Sequence, residues 1–143
     1  MSVNDVSEVQ VTGVTSASDN TRWERACLLS DLFPERGAAA LFGDVQVALF
    51  RLPEDPAYAA HAGQVYAVQN LDPFSAAHVM SRGIVGTRAG EPTVAAPVYK
   101  QVFSLITGKC LVAADKSPKQ DLPPDLAIYP VEVRDGVIHV GLP

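Results

Sequence analysis

The residues TVAAPVYKQVFSLITGKCL, numbers 93–111, carry more structural information than any other part of the chain. A short apolar strand runs into Pro97, and a mixed aromatic and polar stretch follows from Val98 to Gln101. Phe103-Ser104-Leu105 then leads to Thr107-Gly108. A glycine between two apolar runs marks a chain reversal, because it accepts the backbone angles of a tight turn without steric cost. Thr107-Gly108 is therefore expected to join a strand over residues 103–106 to one over 109–112, with Leu105 opposite Cys110.

The same pattern of short strand and turn extends in both directions. Asp135-Gly136 is the stronger hairpin signal, since Asp-Gly suits the type I′ turn whose twist matches its flanking strands. With those two residues as the loop, Val133 faces Ile138 and Val131 faces Val140 on one side, and Glu132 pairs with His139 on the other. Residues 23–28 (WERACL) read as a strand and 30–34 as a turn. In 44–52, Val45, Val47 and Leu49 alternate with Gln46, Ala48 and Phe50, which predicts a strand buried largely on both faces. Residues 53–60 form a polar, proline-bearing connection, and 65–68 form another short strand. Between Asn70 and Pro92 the sequence predicts a long irregular region with Gly83, Gly86 and Gly90, and long loops in compact domains are usually functional. Residues 1–21 show no sustained period and predict a disordered or loosely attached tail. The expected fold class is all-β: one domain over 22–143, with roughly eight to ten short strands and little helix.

Composition narrows the function. At 143 residues the chain suffices for one domain with a real core, and 11 prolines with 10 glycines favour short strands over long helices. The net charge of −5 argues against nucleic acid, whose phosphates attract a basic footprint, and gives no help on an anionic membrane. No apolar run approaches a membrane span. The first basic residue is Arg22, so the positive flank of a secretory or transit peptide is missing. A cytoplasmic protein is the expectation.

Reactive side chains are few. Cys27 and Cys110 lie far apart, inside apolar stretches, and predict reduced thiols packed as small hydrophobes. His61, His78 and His139 have no metal-ligand spacing; His78, in the long irregular region, comes nearest to a candidate. Residues 81–90 are basic and glycine-bearing, but without the strand-then-helix context of a phosphate loop they read as a flexible or docking loop. There is no G-x-S-x-G elbow and no P-loop. No catalytic, cofactor-binding or metal residues are expected.

Residues 93–111 resemble the second ligand box of a Rieske iron–sulfur domain: a strand, Cys-Pro-x-His, a polar or aromatic stretch, a Phe-x-Leu strand and a Thr-Gly turn. Residues 66–74 (YAVQNLDPF) resemble the first box, which ends Cys-Pro-His. The four ligand positions hold Asp72, Phe74, Ala96 and Tyr99. None suits this type of [2Fe–2S] centre, which takes Cys thiolates on one iron and His on the other. With 81–86 (SRGIVG), 97–101 (PVYKQ) and 129–136 (YPVEVRDG) added, the chain from Trp23 to Leu142 resembles the small subunit of the cytoplasmic NAD(P)H-dependent nitrite reductase. That family has a Rieske-like β fold without its [2Fe–2S] cluster.

The resemblance implies a non-catalytic accessory subunit, without a cofactor of its own, in an enzyme that reduces nitrite to ammonium in nitrogen assimilation. Its partner, the large subunit, would carry FAD, siroheme and a [4Fe–4S] cluster. It also implies that residues 72–74 and 98–101 converge at one tip. Phe74, Tyr99, Lys100 and Gln101 are then candidates for partner contact, with Phe74 and Tyr99 as alternative fillers of the volume a cluster would take. Two other readings stay open: a ferredoxin-like electron carrier using Cys27, Cys110 and a histidine as unusual ligands, and a stand-alone β-sandwich binding domain.

Overall fold

Alternation along two neighbouring strands sets the architecture. In the computed structural model, which describes residues 10–12 and 21–143, β4 (Val45–Arg51) gives Val47 and Leu49 to one core and Ala48 and Phe50 to another. β5 (Val65–Gln69) repeats this, with Val65 and Ala67 in the first core and Tyr66 and Val68 in the second. All these residues are buried. Successive side chains of a strand leave opposite faces, so the sheet they share is covered on both sides.

That middle sheet also contains β3 (Gly37–Phe42), beside β4, and β12 (Ile128–Tyr129), beside β5. Over its first face lies a sheet of β1 (Gln10–Thr12), β2 (Arg22–Leu28), β13 (Val131–Arg134) and β14 (Val137–Leu142), in the order β1-β13-β14-β2. Val131, Val133, Ile138, Val140 and Leu142 from this sheet complete the first core. Over the other face lies a sheet of β8 (Ile84–Arg88), β9 (Glu91–Ala95), β10 (Val102–Ser104) and β11 (Cys110–Val112), in the order β11-β10-β9-β8. Val85, Val94 and Phe103 pack there with Phe50 and Val68. A small ribbon of β6 (Leu71–Asp72) and β7 (Ala77–His78) continues from β5. Helix among the described residues is limited to 3-10 turns over Leu29–Asp31, Pro56–His61 and Met80–Arg82. At roughly 1.5–3 kcal/mol for each fully buried large apolar side chain, the two cores are the main stabilising contribution.

The all-β expectation holds, and the Asp135-Gly136 hairpin has the expected register: Val133 opposite Ile138, Val131 opposite Val140, Glu132 opposite His139. Both turn residues have positive φ, 51° and 77°, as a type I′ turn demands. The Thr107-Gly108 hairpin differs. Phe103, not Leu105, lies opposite Cys110, because Ser104 ends the ladder early. Its hydroxyl accepts the amides of Ile106 and Thr107 at 3.0 and 3.1 Å, while its carbonyl accepts the Gly108 amide at 2.9 Å. The expected irregular region between Asn70 and Pro92 is likewise corrected: it holds β6, β7, β8 and the start of β9. The β8–β9 hairpin turns at Ala89 and Gly90, with φ of 51° and 85°. β3, reading GAAALF, has no counterpart among the expected strands. Within the expected N-terminal tail, Gln10–Thr12 pair antiparallel with β13; residues 1–9 and 13–20 lie outside the described residues.

Two glycines separate backbone angle from steric contact. Gly136 (φ 77°) has open space around a would-be Cβ, whereas a Cβ on Gly108 (φ 79°) would sit 2.0 Å from the Leu126 carbonyl oxygen. Gly136→Ala is expected to cost about 1 kcal/mol from the left-handed backbone alone. Gly108→Ala is expected to lose a further ~1–3 kcal/mol from forced overpacking. Urea unfolding of the two variants side by side measures the difference.

Candidate functional site at the loop tip

The first loop is built by Asp72. Its Oδ1 accepts the Phe74 amide at 2.9 Å, its Oδ2 accepts the Ser75 hydroxyl at 2.9 Å, and its carbonyl accepts the Ala76 amide at 2.8 Å. An aspartate that bonds the backbone two residues on, followed by a proline with preset φ, is a strong turn former. The carboxylate is 0 % exposed and spends its oxygens on this turn. The turn drives Phe74 inward, 1 % exposed, to a tilted ring contact with Phe103 at 6.1 Å between centroids.

The second loop closes between β9 and β10. The Ala96 amide donates to the Gln101 carbonyl at 2.8 Å, and the Lys100 amide to the Ala96 carbonyl at 3.1 Å. Lys100 takes a left-handed conformation, φ 67°, to complete the loop. Ala96 is buried in the same core as Phe74, and Tyr99 packs half-buried against that core. Gln101 is 0 % exposed; its Nε2 donates to the Ala113 carbonyl at 3.3 Å, and its Oε1 has no partner among the described residues.

A third segment, residues 113–122, binds the two loops together. The Lys119 amide donates to the Pro73 carbonyl at 2.9 Å, while the ammonium groups of Lys119 and Lys116 lie 5.7 and 4.6 Å from the centre of the Tyr99 ring. A cation over a tyrosine face is attracted by the ring quadrupole. The loops bearing Asp72 and Tyr99 thus converge, as the resemblance implies.

Burial corrects part of the expected contact surface. Phe74 and Gln101 are inside the molecule, so neither side chain is available to a partner; Phe74 fills the tip. Lys100 is exposed, Tyr99 is partly exposed, and Val98 is 48 % exposed beside them. Lys116 and Lys119 were not singled out from the sequence. Their K-S-P-K spacing says only that they lie in a loop, and nothing local tells which side chains that loop crosses.

This donor set does not fit a Rieske [2Fe–2S] cluster: a carboxylate committed to a turn, a phenyl ring, a methyl group and a phenol under two ammonium groups replace thiolate and imidazole. No group of three or more His, Cys, Asp or Glu side chains among the described residues could hold a metal ion. The alternative ligand set of Cys27, Cys110 and a histidine does not assemble. Cys27 packs against the first core and Cys110 against the second, on opposite sides of the middle sheet. Burial pushes both thiols above the ordinary cysteine range. Asp31 adds to it at Cys27 against an opposing Arg25, and Asp125 and Asp72 add to it at Cys110 against the Val112 amide. Neither favours the thiolate that binds metal.

The family model for the Rieske-like [2Fe-2S] domain matches residues 22–141. The nitrite reductase (NADH) small subunit of Escherichia coli K12 is 38% identical over 120 residues, which cover 84% of this chain and 97% of that protein. The protein belongs to the nitrite reductase small-subunit family. A crystal structure described as an NADH-dependent nitrite reductase small subunit from Mycobacterium tuberculosis is 42% identical to this family member. It superposes with a TM-score of 0.70 and covers 87% of this chain and 98% of its own. A Sphingomonas yanoikuyae B1 ferredoxin, 19% identical with a TM-score of 0.61, shares the fold. The nitrite reductase [NAD(P)H] large subunit of Klebsiella oxytoca is 34% identical over 119 residues, or 83% of this chain and 11% of that protein.

The Asp72 turn can be tested without a partner. Asp72→Ala leaves the Phe74 amide and Ser75 hydroxyl unsatisfied and is expected to cost on the order of 2–4 kcal/mol. Asp72→Asn keeps the Oδ1 acceptor, so its loss is expected to be about half of that or less. Chemical denaturation gives both values; equal losses would show that charge, not the hydrogen bond to Phe74, holds the turn.

Proposed function

We propose that this chain is an accessory subunit of nitrite reductase [NAD(P)H] that binds the large subunit, holds no [2Fe–2S] cluster and supplies no catalytic group. The reduction of nitrite to ammonium then takes place on the large subunit, with its FAD, siroheme and [4Fe–4S] cluster, in the cytoplasm. The observation that carries this reading is the combination of near-complete coverage of the E. coli small subunit with a cluster site rebuilt from a turn-capping aspartate and a packed phenylalanine. The Klebsiella oxytoca large subunit supports the partner, since a domain like this one is part of that same polypeptide. Among the described residues no helix is long and apolar enough to cross a membrane.

Contact through the tip fits its charge. Lys100, Lys116 and Lys119 are exposed on a chain of net charge −5, and the ion pairs among the described residues involve none of them. Around Val98 and Tyr99 they set three cations, with exposed Asp115 and Asp121 beside two of them, a mixed polar rim that suits a protein partner.

Purified chain, expressed with iron in the medium, is expected to be colourless and to hold no stoichiometric iron. A visible absorption band with about two irons per chain would reject the reading. Lys100→Glu is expected to weaken association with the large subunit by roughly tenfold at low salt and less at high salt, with the melting temperature nearly unchanged. Unaltered affinity across both salt conditions would move the contact away from the tip.

A further inference from the structure

Backbone strain concentrates in the segment that ties the two tip loops together. Ala114, Asp115, Gln120 and Asp121 have φ of 57°, 59°, 55° and 56°, four left-handed residues within eight and none of them glycine. Aspartate tolerates this region, but at Ala114 and Gln120 the side chain crowds the neighbouring backbone. Residues in such conformations persist only where surrounding contacts impose them. Here those contacts are few. All of 113–122 except Pro118 and Leu122 is exposed, and no residue of it belongs to either core. Among the described residues, its hydrogen bonds to the rest of the molecule are the Lys119 amide on the Pro73 carbonyl, at 2.9 Å, and the Ala113 carbonyl under Gln101 Nε2, at 3.3 Å. The Lys116 and Lys119 cations on the Tyr99 ring reinforce them, and such contacts are weak at exposed sites.

Gln101 adds a second, independent cost to this arrangement. Its carboxamide is wholly buried with Oε1 lacking a partner among the described residues, and an unmet buried acceptor disfavours the state that buries it. The segment is also free to move as a unit. Val112 pairs with Val102 at one end, and at the other Asp125 Oδ1 accepts the Cys110 amide at 2.8 Å, so both ends are fixed to β11. A surface loop with adjacent ends can swing out while the strands beneath remain paired. The loops it covers have their own closures: the Asp72 turn in one, the Ala96–Gln101 backbone pair in the other.

We propose that residues 113–122 are a latch over the tip, closed in this structure, which opens while the two loops beneath stay folded and uncovers the Tyr99 ring and the Gln101 carboxamide. The left-handed backbone and the orphaned Oε1 favour the open form; the Pro73 bond and the two cations favour the closed one. The latch also gates the tip contact, an inference that rests on the partner assigned in the preceding section. Interface centres are enriched in tyrosine and depleted in lysine. A partner that takes the Tyr99 ring must therefore displace the two ammonium groups, and the closed fraction lowers its apparent affinity.

Amide hydrogen exchange on the full chain alone, each rate taken relative to the unstructured sequence, tests the latch. The Lys119 amide is expected to exchange at least about tenfold faster than the Ala96 amide, which bonds the Gln101 carbonyl in the loop beneath. Equal protection of the two overturns an independent latch. Ala114→Gly removes a Cβ from a left-handed position and is expected to slow Lys119 exchange about threefold. Lys116→Met takes one cation off the ring and is expected to speed it about threefold. A Lys119 rate that neither variant moves also overturns the latch. For the gate, Ala114→Gly is expected to weaken association with the cognate large subunit about threefold without lowering the melting temperature. Slowed exchange with undiminished affinity overturns the gate and leaves the partner assignment standing. No complex with the wild-type chain overturns that assignment and the gate, while the exchange rates still decide the latch.

Discussion

The burial of Phe74 against Phe103 is the contact on which the tip depends. A [2Fe–2S] cluster is a bulky group, and a fold shaped around one would be left with a void, which is costly in a close-packed interior. Here the space belongs to the second core: Phe74, Ala96, Phe103 and Leu105 are all buried in it, with Tyr99 against its edge. The turn at Asp72 exists to deliver that ring, and the Lys119 amide on the Pro73 carbonyl holds the delivering loop in place. Phe74 and its neighbours pack the place where the Rieske resemblance would put a metal site. Outside remain Val98, Lys100 and part of Tyr99, with Lys116 and Lys119 in a segment that also exposes Asp115 and Asp121.

The middle sheet separates two cores, and the tip belongs to one of them. The tip rises from the core shared with β8 to β11, on the far side of that sheet from the core shared with β2, β13 and β14.

Legibility in the sequence followed the strength of the local signal. Asp135-Gly136 fixed a turn type, and through it every cross-strand pair from Val131 to Val140, because both residues tolerate positive φ. Thr107-Gly108 fixed only the presence of a reversal. Ser104 decided the register by capping two amides, which no pairwise turn rule anticipates. β3 was invisible because alanine and glycine have little strand preference of their own; it is a strand because β4 is beside it. Ala89-Gly90 turns a hairpin with an alanine in the left-handed region, an uncommon choice that hides the reversal between β8 and β9. At the tip, the convergence of the two loops was readable through the resemblance. The inward aim of Phe74 and Gln101 was not, since it follows from hydrogen bonds that only the folded chain makes.

Arg22 and Leu142 are partners in one antiparallel ladder, so the stretch that the family model matches, residues 22–141, starts and finishes at the same corner. A chain with such adjoining ends can be appended to, or set within, a longer polypeptide through a single point of attachment, leaving its sheets untouched. That geometry makes physical sense of a counterpart occurring inside the Klebsiella oxytoca protein: tethering at one corner restricts where the module can go but asks nothing of its interior.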